Sequence, residues 1–191
     1  MASIVLDLPC KLSDFRPLLC VSKLSKMNHF ELYQIPISFH PDMALVKKRF
    51  YQLSRTYHPD FFVNDSDEEK AKNLALSAQV NKAYQIFQDQ TALIKYLLME
   101  KGLLQEEEKY QLSPDFLMEV MDLNELLMDA DDPSTKQTIQ NSLNTLQNTI
   151  YEPVKSIIAN YQEGISTEKE LLQIKEYYYQ KKYLDRILVE L

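Results

Sequence analysis

The feature that most narrows the fold is a run of apolar residues in the C-terminal half. After Asp132-Pro133, Ile139, Leu143, Leu146, Ile150, Ile157 and Tyr161 follow one another at steps of three, four and seven residues. That period puts them along one stripe of a long helix, not on the alternating face of a strand. The same spacing recurs at Val46, Phe50, Leu53 and Tyr57 and at Leu76, Val80, Ala83 and Phe87, and the last helical stretch carries Leu171, Ile174, Tyr178, Leu184 and Leu188. A chain punctuated in this way by Pro, Asn, Asp and only two glycines, Gly102 and Gly164, reads as all-α.

Breakers and caps set the expected helices. A short helix over about 30–35 is stopped by Pro36. Helices over about 42–57 and 67–90 flank "HPDFFVNDSD" and form an antiparallel hairpin. "TALIKYLLMEKG" supplies a helix closed by Gly102, and the acidic spacer "QEEEKYQL" marks a boundary. Ser113-Pro114 caps a helix over about 114–130, Asp132-Pro133 opens the next with a kink at Pro153, and a last helix covers about 167–190. These long stripes joined by short turns describe a three-helix bundle. The expected organisation is residues 1–26 as a flexible or targeting extension, 27–103 as a helical hairpin unit with its connecting helix, and 104–191 as the bundle.

Composition removes several classes of function. At 191 residues the chain can bury a core without covalent staples, and Cys10 and Cys20 have neither disulfide-framework nor zinc spacing, which suits a reducing compartment. Two glycines make no phosphate-cradling loop. A net charge of −7 opposes nucleic-acid binding by the whole chain. No apolar run approaches the roughly 20 residues of a membrane span. The leader mixes short apolar runs with Lys11, Arg16, Lys23 and Lys26, interrupted by Asp7 and Asp14; it has no clean secretory core, and Met27 is a possible natural start.

His-Pro-Asp occurs twice, at His40-Pro41-Asp42 and at His58-Pro59-Asp60. The first copy has a structural account, because Asp42 stands where a helix N-terminus needs a carboxylate. The second follows a helix, and the next helical pattern resumes only several residues later. Pro59 fixes the turn and holds an imidazole beside a carboxylate on an outward-facing corner. An acid–base enzyme built on His58 and Asp60 is disfavoured, since no serine or cysteine nucleophile motif accompanies them and the corner is open to water.

"VKKRFYQLSRTYHPD" followed by "VNKAYQIFQD" resembles the J-domain family, and "HFELYQIP" is similar to that family's first short helix. The resemblance implies a co-chaperone that docks on a heat-shock-70-type chaperone ATPase (HscA/DnaK-like) and stimulates ATP hydrolysis. On that basis His58, Pro59 and Asp60 are the stimulating motif, and Lys47, Lys48, Arg49 and Arg55 form a cationic docking face. Without the tripeptide, the same charge run reads as a solvated helix face.

The large general J-proteins have a Gly/Phe-rich linker and repeated zinc motif, neither of which is present. "TALIKYLLMEKG", "LSPDFLMEVMDLNELLMD" and "QKKYLDRI" instead resemble the HscB-type, or Jac-type, co-chaperones of iron–sulfur cluster assembly. That likeness implies a J-domain followed by a C-terminal three-helix domain that binds the iron–sulfur cluster scaffold protein (IscU-like) through Leu117, Met118, Met121, Asp122, Glu125 and Tyr183. Spacing alone allows the first five to share one helix face, apolar with an acidic margin, but it favours Leu117 and Met121 as core. Leu93 stands where relatives often have arginine, and Tyr183 where some have Phe.

The expected function is therefore an adaptor and not an enzyme, with no metal or cofactor of its own, no nucleic-acid or membrane partner, and a cytoplasmic location. A mitochondrial matrix location follows if residues 1–26 are a targeting extension. An alternative keeps the J-domain and gives the bundle other clients, such as unfolded polypeptides.

Overall fold

Helix boundaries follow from caps written into the sequence. The computed structural model describes residues 27–128 and 132–190. The readings placed on residues 1–26, including Cys10 and Cys20, lie outside the described residues.

The N-terminal half contains α1 (His29–Tyr33), α2 (Met43–Thr56), α3 (Asp67–Gln88) and α4 (Gln90–Glu100). Asn28 and Ser66 form capping boxes with Glu31 and Glu69 at the starts of α1 and α3. Asp42 and Asp89 accept backbone N–H bonds at the starts of α2 and α4. α1 is shorter than expected. It ends at Tyr33 because Gln34 turns left-handed (φ 52) and the Ile35 N–H bonds the Phe30 carbonyl, before Pro36 is reached. At the end of α4, Gly102 takes φ 69, its N–H bonds Met99 O and the Leu103 N–H bonds Leu98 O, a Schellman closure that a residue with a Cβ would strain.

The C-terminal half contains α5 (Pro114–Met128), α6 (Pro133–Ala159) and α7 (Glu168–Glu190), which pack mutually as a three-helix bundle. Asp132 caps α6 through the Ser134 and Thr135 N–H groups, and α6 continues as one helix through Pro153. Its buried stripe is Ile139, Leu143, Leu146, Ile150, Val154 and Ile158, and Tyr161, just past the helix end, is buried as well. The expected Ile157 is only half-buried, because the true stripe continues by steps of four through Val154 and Ile158. On α7, Tyr177 and Ile187 join the expected core positions, and Leu188 is half-buried.

In the hairpin, Ala83 of α3 is fully buried, and the neighbouring Tyr84 stacks on Phe50 of α2 with ring centroids 4.1 Å apart. Phe30 and Tyr33 close the hairpin by edge contacts with Phe87 at 5.1 and 5.0 Å. α4 then packs on both α3 and α7, so one contiguous core runs from Phe30 to Ile187.

His29 at the mouth of this core stacks on Tyr96 at 4.3 Å, and the Tyr96 hydroxyl accepts the His29 backbone N–H at 2.8 Å. Burial, helped by Lys82, brings the imidazole pKa from 6.5 down to about 4. The unfolded chain therefore takes up this proton first as pH falls, and the His29 contribution to stability declines between pH 6.5 and 4. Urea titrations across this interval should show a steeper acid loss for the parent chain than for His29→Phe, which keeps a stacking ring and cannot protonate.

Candidate functional site

The two tripeptides differ in their position relative to α2. At the first, the Asp42 carboxylate accepts the Ala44 and Leu45 N–H groups at 2.9 and 3.3 Å, so it builds the helix. His40 is exposed and donates its backbone N–H to Ser38 Oγ.

At the second, α2 has already ended. Tyr57 closes it through an N–H bond to Leu53 O, His58 is extended (φ −68, ψ 130), and Pro59 begins a single 3-10 turn, Pro59–Phe62, that rests on α3. The sequence marks this proline-stiffened corner as a turn but not its 3-10 form, because it is one turn long and carries no apolar period. The Asp60 N–H donates to His58 Nδ1 at 3.3 Å, and the Asp60 carboxylate lies 3.6 Å from the same nitrogen. A neutral ring that accepts at Nδ1 carries its proton on Nε2, which leaves a donor free for another molecule. The side chains are 53 % and 83 % exposed, so this pair lacks the dry surroundings that proton-transfer catalysis requires. Rigid and solvated, it is suited to contact.

Along α2, Lys47, Lys48 and Arg55 are exposed, and no ion pair among the described residues uses any of them. Arg49 is different: half-buried, it donates to Gln52 Oε1 at 3.2 Å while its Nε is buried without a partner. Tyr51, 62 % exposed, occupies the helical row between Lys47 and Arg55, and Phe61, 66 % exposed, projects from the turn. The sequence reading passed over both. For Tyr51 the signal was its four-residue spacing from the two cations.

On α5 the buried residues are Phe116, Val120 and Leu123. The core reading of Leu117 and Met121 is therefore overturned. Met118 and Met121 are 65 % and 61 % exposed, Leu117 also lies at the surface, and Asp122 and Glu125 continue the outer face. The packing of α5 on α6 and α7 uses the other apolar row. Leu126 and Met128 extend this exposed face beyond the expected set. Tyr183 on α7 is half-buried, sets its ring edge against Phe116 at 6.4 Å, and shares a surface groove with Leu117. Among the described residues no group of three or more His, Cys, Asp or Glu side chains is placed to hold a metal ion.

Residues 112–191 match the profile of a family described as the HSCB C-terminal oligomerisation domain. A co-chaperone HscB homologue from Photobacterium profundum is 30 % identical over 147 residues, which cover 76 % of this chain and 80 % of the relative. The chain belongs to the HscB family of co-chaperones. Solved structures agree. The human co-chaperone HscB superposes with a TM-score of 0.73 at 25 % identity, covering 94 % of this chain and 90 % of that one. HscB from Vibrio cholerae gives 0.59 at 27 % identity over 84 % and 97 %. In this HscB-type chain the hairpin α2–α3 with its intervening turn is the J-domain, and α5–α7 form the C-terminal helical domain.

The two tripeptides should separate cleanly by mutation. Asp42→Ala removes a helix cap and should lower stability by about 1 kcal/mol in urea denaturation. Asp60→Ala, on the exposed turn, should stay within about 0.5 kcal/mol of the parent.

Proposed function

We propose that this co-chaperone works by contact alone: the turn His58-Pro59-Asp60 stimulates the ATPase of a heat-shock-70-type chaperone, and the α5 face with Tyr183 holds the iron–sulfur cluster scaffold protein. The observation that supports this reading most strongly is the pairing of an exposed, proline-stiffened turn with cations on the preceding helix that form no ion pair among the described residues. Lys47, Lys48 and Arg55 steer an acidic surface toward α2, after which the short-range contacts fall to His58 and Asp60. Arg49 contributes through its position between solvent and core.

The α5 face supports the second half of the proposal. An exposed cluster of Leu117, Met118 and Met121 edged by Asp122 and Glu125 has the composition of a docking patch, because methionines adapt to a partner while the carboxylates set its orientation. Holding both partners on one chain raises each one's effective concentration for the other. The cluster itself is cargo on the scaffold, and the chain supplies no chemistry to it. The reading places the adaptor in a reducing, cytoplasmic setting; no helix among the described residues is long and apolar enough to cross a membrane.

In a purified ATPase assay, His58→Gln should abolish stimulation while folding and scaffold binding stay at parental levels; undiminished stimulation would reject the role of the second tripeptide. Met118→Ala with Met121→Ala should weaken scaffold binding by about tenfold or more in calorimetry, equivalent to about 1.4 kcal/mol, without lowering the melting temperature. If unfolded polypeptide binds the parent chain and the scaffold protein does not, the bundle serves other clients.

A further inference from the structure

The spacer after α4 and the outer side of α7 line a groove of about 470 Å³, of which the functional reading above uses only Leu117 and Tyr183. Its floor is firm. Tyr110 and Tyr179 stack at 4.4 Å with their planes 1° apart, and Lys175 pairs with Glu108 at 2.6 Å with its side chain only 11 % exposed. The Tyr179 hydroxyl donates to the same carboxylate at 3.4 Å. Through Lys175 first, these bonds hold Glu108 below the usual carboxylate range, so the one acid lining the groove stays ionised and its charge is already paired by Lys175.

What remains is cationic. Lys109, Lys182 and Arg186 line the groove, all three are exposed, and none takes part in an ion pair among the described residues. Lys182 and Arg186 are four residues apart and so share a row of α7. At its apolar end the groove is walled by Leu117 and Tyr183, which also belong to the α5 face, so the two surfaces are continuous. A chain with a net charge of −7 thus gathers, beside its exposed apolar patch, three cations without an ion pair among the described residues.

We propose that this groove receives an acidic segment of the scaffold protein, its carboxylates meeting Lys182 and Arg186 while its apolar neighbours lie on Leu117 and Tyr183. The proposal rests on the assignment of the α5 face to the scaffold. It adds polarity to that dock, since cations stand on one side of the apolar patch and Asp122 and Glu125 belong to the other surface. A partner seated in reverse would bring its acids against those carboxylates and leave both sets of charges unmatched.

The test uses the full chain with one lysine and one arginine neutralised in place, Lys182→Gln with Arg186→Gln, titrated with purified scaffold protein at about 50 and about 200 mM salt. The groove predicts binding about five- to tenfold weaker at low salt and a shallower loss of affinity with added salt, at unchanged helical content and melting temperature. Charge reversal, Lys182→Glu with Arg186→Glu, should weaken it further. Unchanged affinity and salt dependence, in a series where Met118→Ala with Met121→Ala does weaken binding, would overturn the groove and leave the α5 dock standing. Failure of the unaltered chain to bind scaffold at all would overturn both.

Discussion

Burial of α4 from both sides is the constraint on which the rest depends. Leu93, Ile94, Leu97 and Leu98 are all buried, and α4 packs on α3 of the hairpin and on α7 of the bundle. Each such side chain contributes about 1.5–3 kcal/mol by leaving water, so the joint is held by more than its polar ties. Around the joint, Phe39 sets its ring against Tyr161 at 4.8 Å, Gln90 donates to the Phe39 carbonyl at 2.9 Å, and Lys101 pairs with Glu163. Leu93 is 1 % exposed, and its apolar side chain suits that position.

With stability supplied by this shared core, the working surfaces are free to be poor at packing. Tyr51, Phe61, Met118 and Met121 each stay more than 60 % exposed, a state that does nothing for the fold and is explicable if partners cover them. The two His-Pro-Asp sequences show the same division. Asp42 comes before a helix and spends its oxygens on backbone N–H groups, whereas Asp60 comes after one and leaves its carboxylate in solvent. Identical letters acquire different roles from which end of α2 they occupy.

Much of the fold was legible because helical period and caps are local. Asp42, Ser113, Asp132 and Gly102 each mark a boundary through bonds that reach no further than five residues. The misreadings arose where tertiary packing chooses between equivalent local patterns. α5 is apolar on two rows, and only its seat on α6 and α7 decides that Phe116, Val120 and Leu123 face inward while Leu117 and Met121 do not. On α6 a seven-residue step from Ile150 to Ile157 concealed Val154 and Ile158, the residues that keep the stripe in phase with α7. The groove could not be read at all, because Lys109 and Arg186 are brought together only by folding.

The central claim is that one rigid core carries two docking surfaces that can be occupied together. Methionine methyl resonances report on it directly. Met43, 42 % exposed, shares the α2 row with Lys47, Tyr51 and Arg55, and Met118 and Met121 stand on the α5 face. With labelled methyls, the chaperone ATPase should shift Met43 and leave Met118 and Met121 in place, the scaffold protein should shift Met118 and Met121 and leave Met43 in place, and a mixture should shift both sets at once. Overlapping shifts from the two partners, or loss of one set when the second partner is added, would contradict the account.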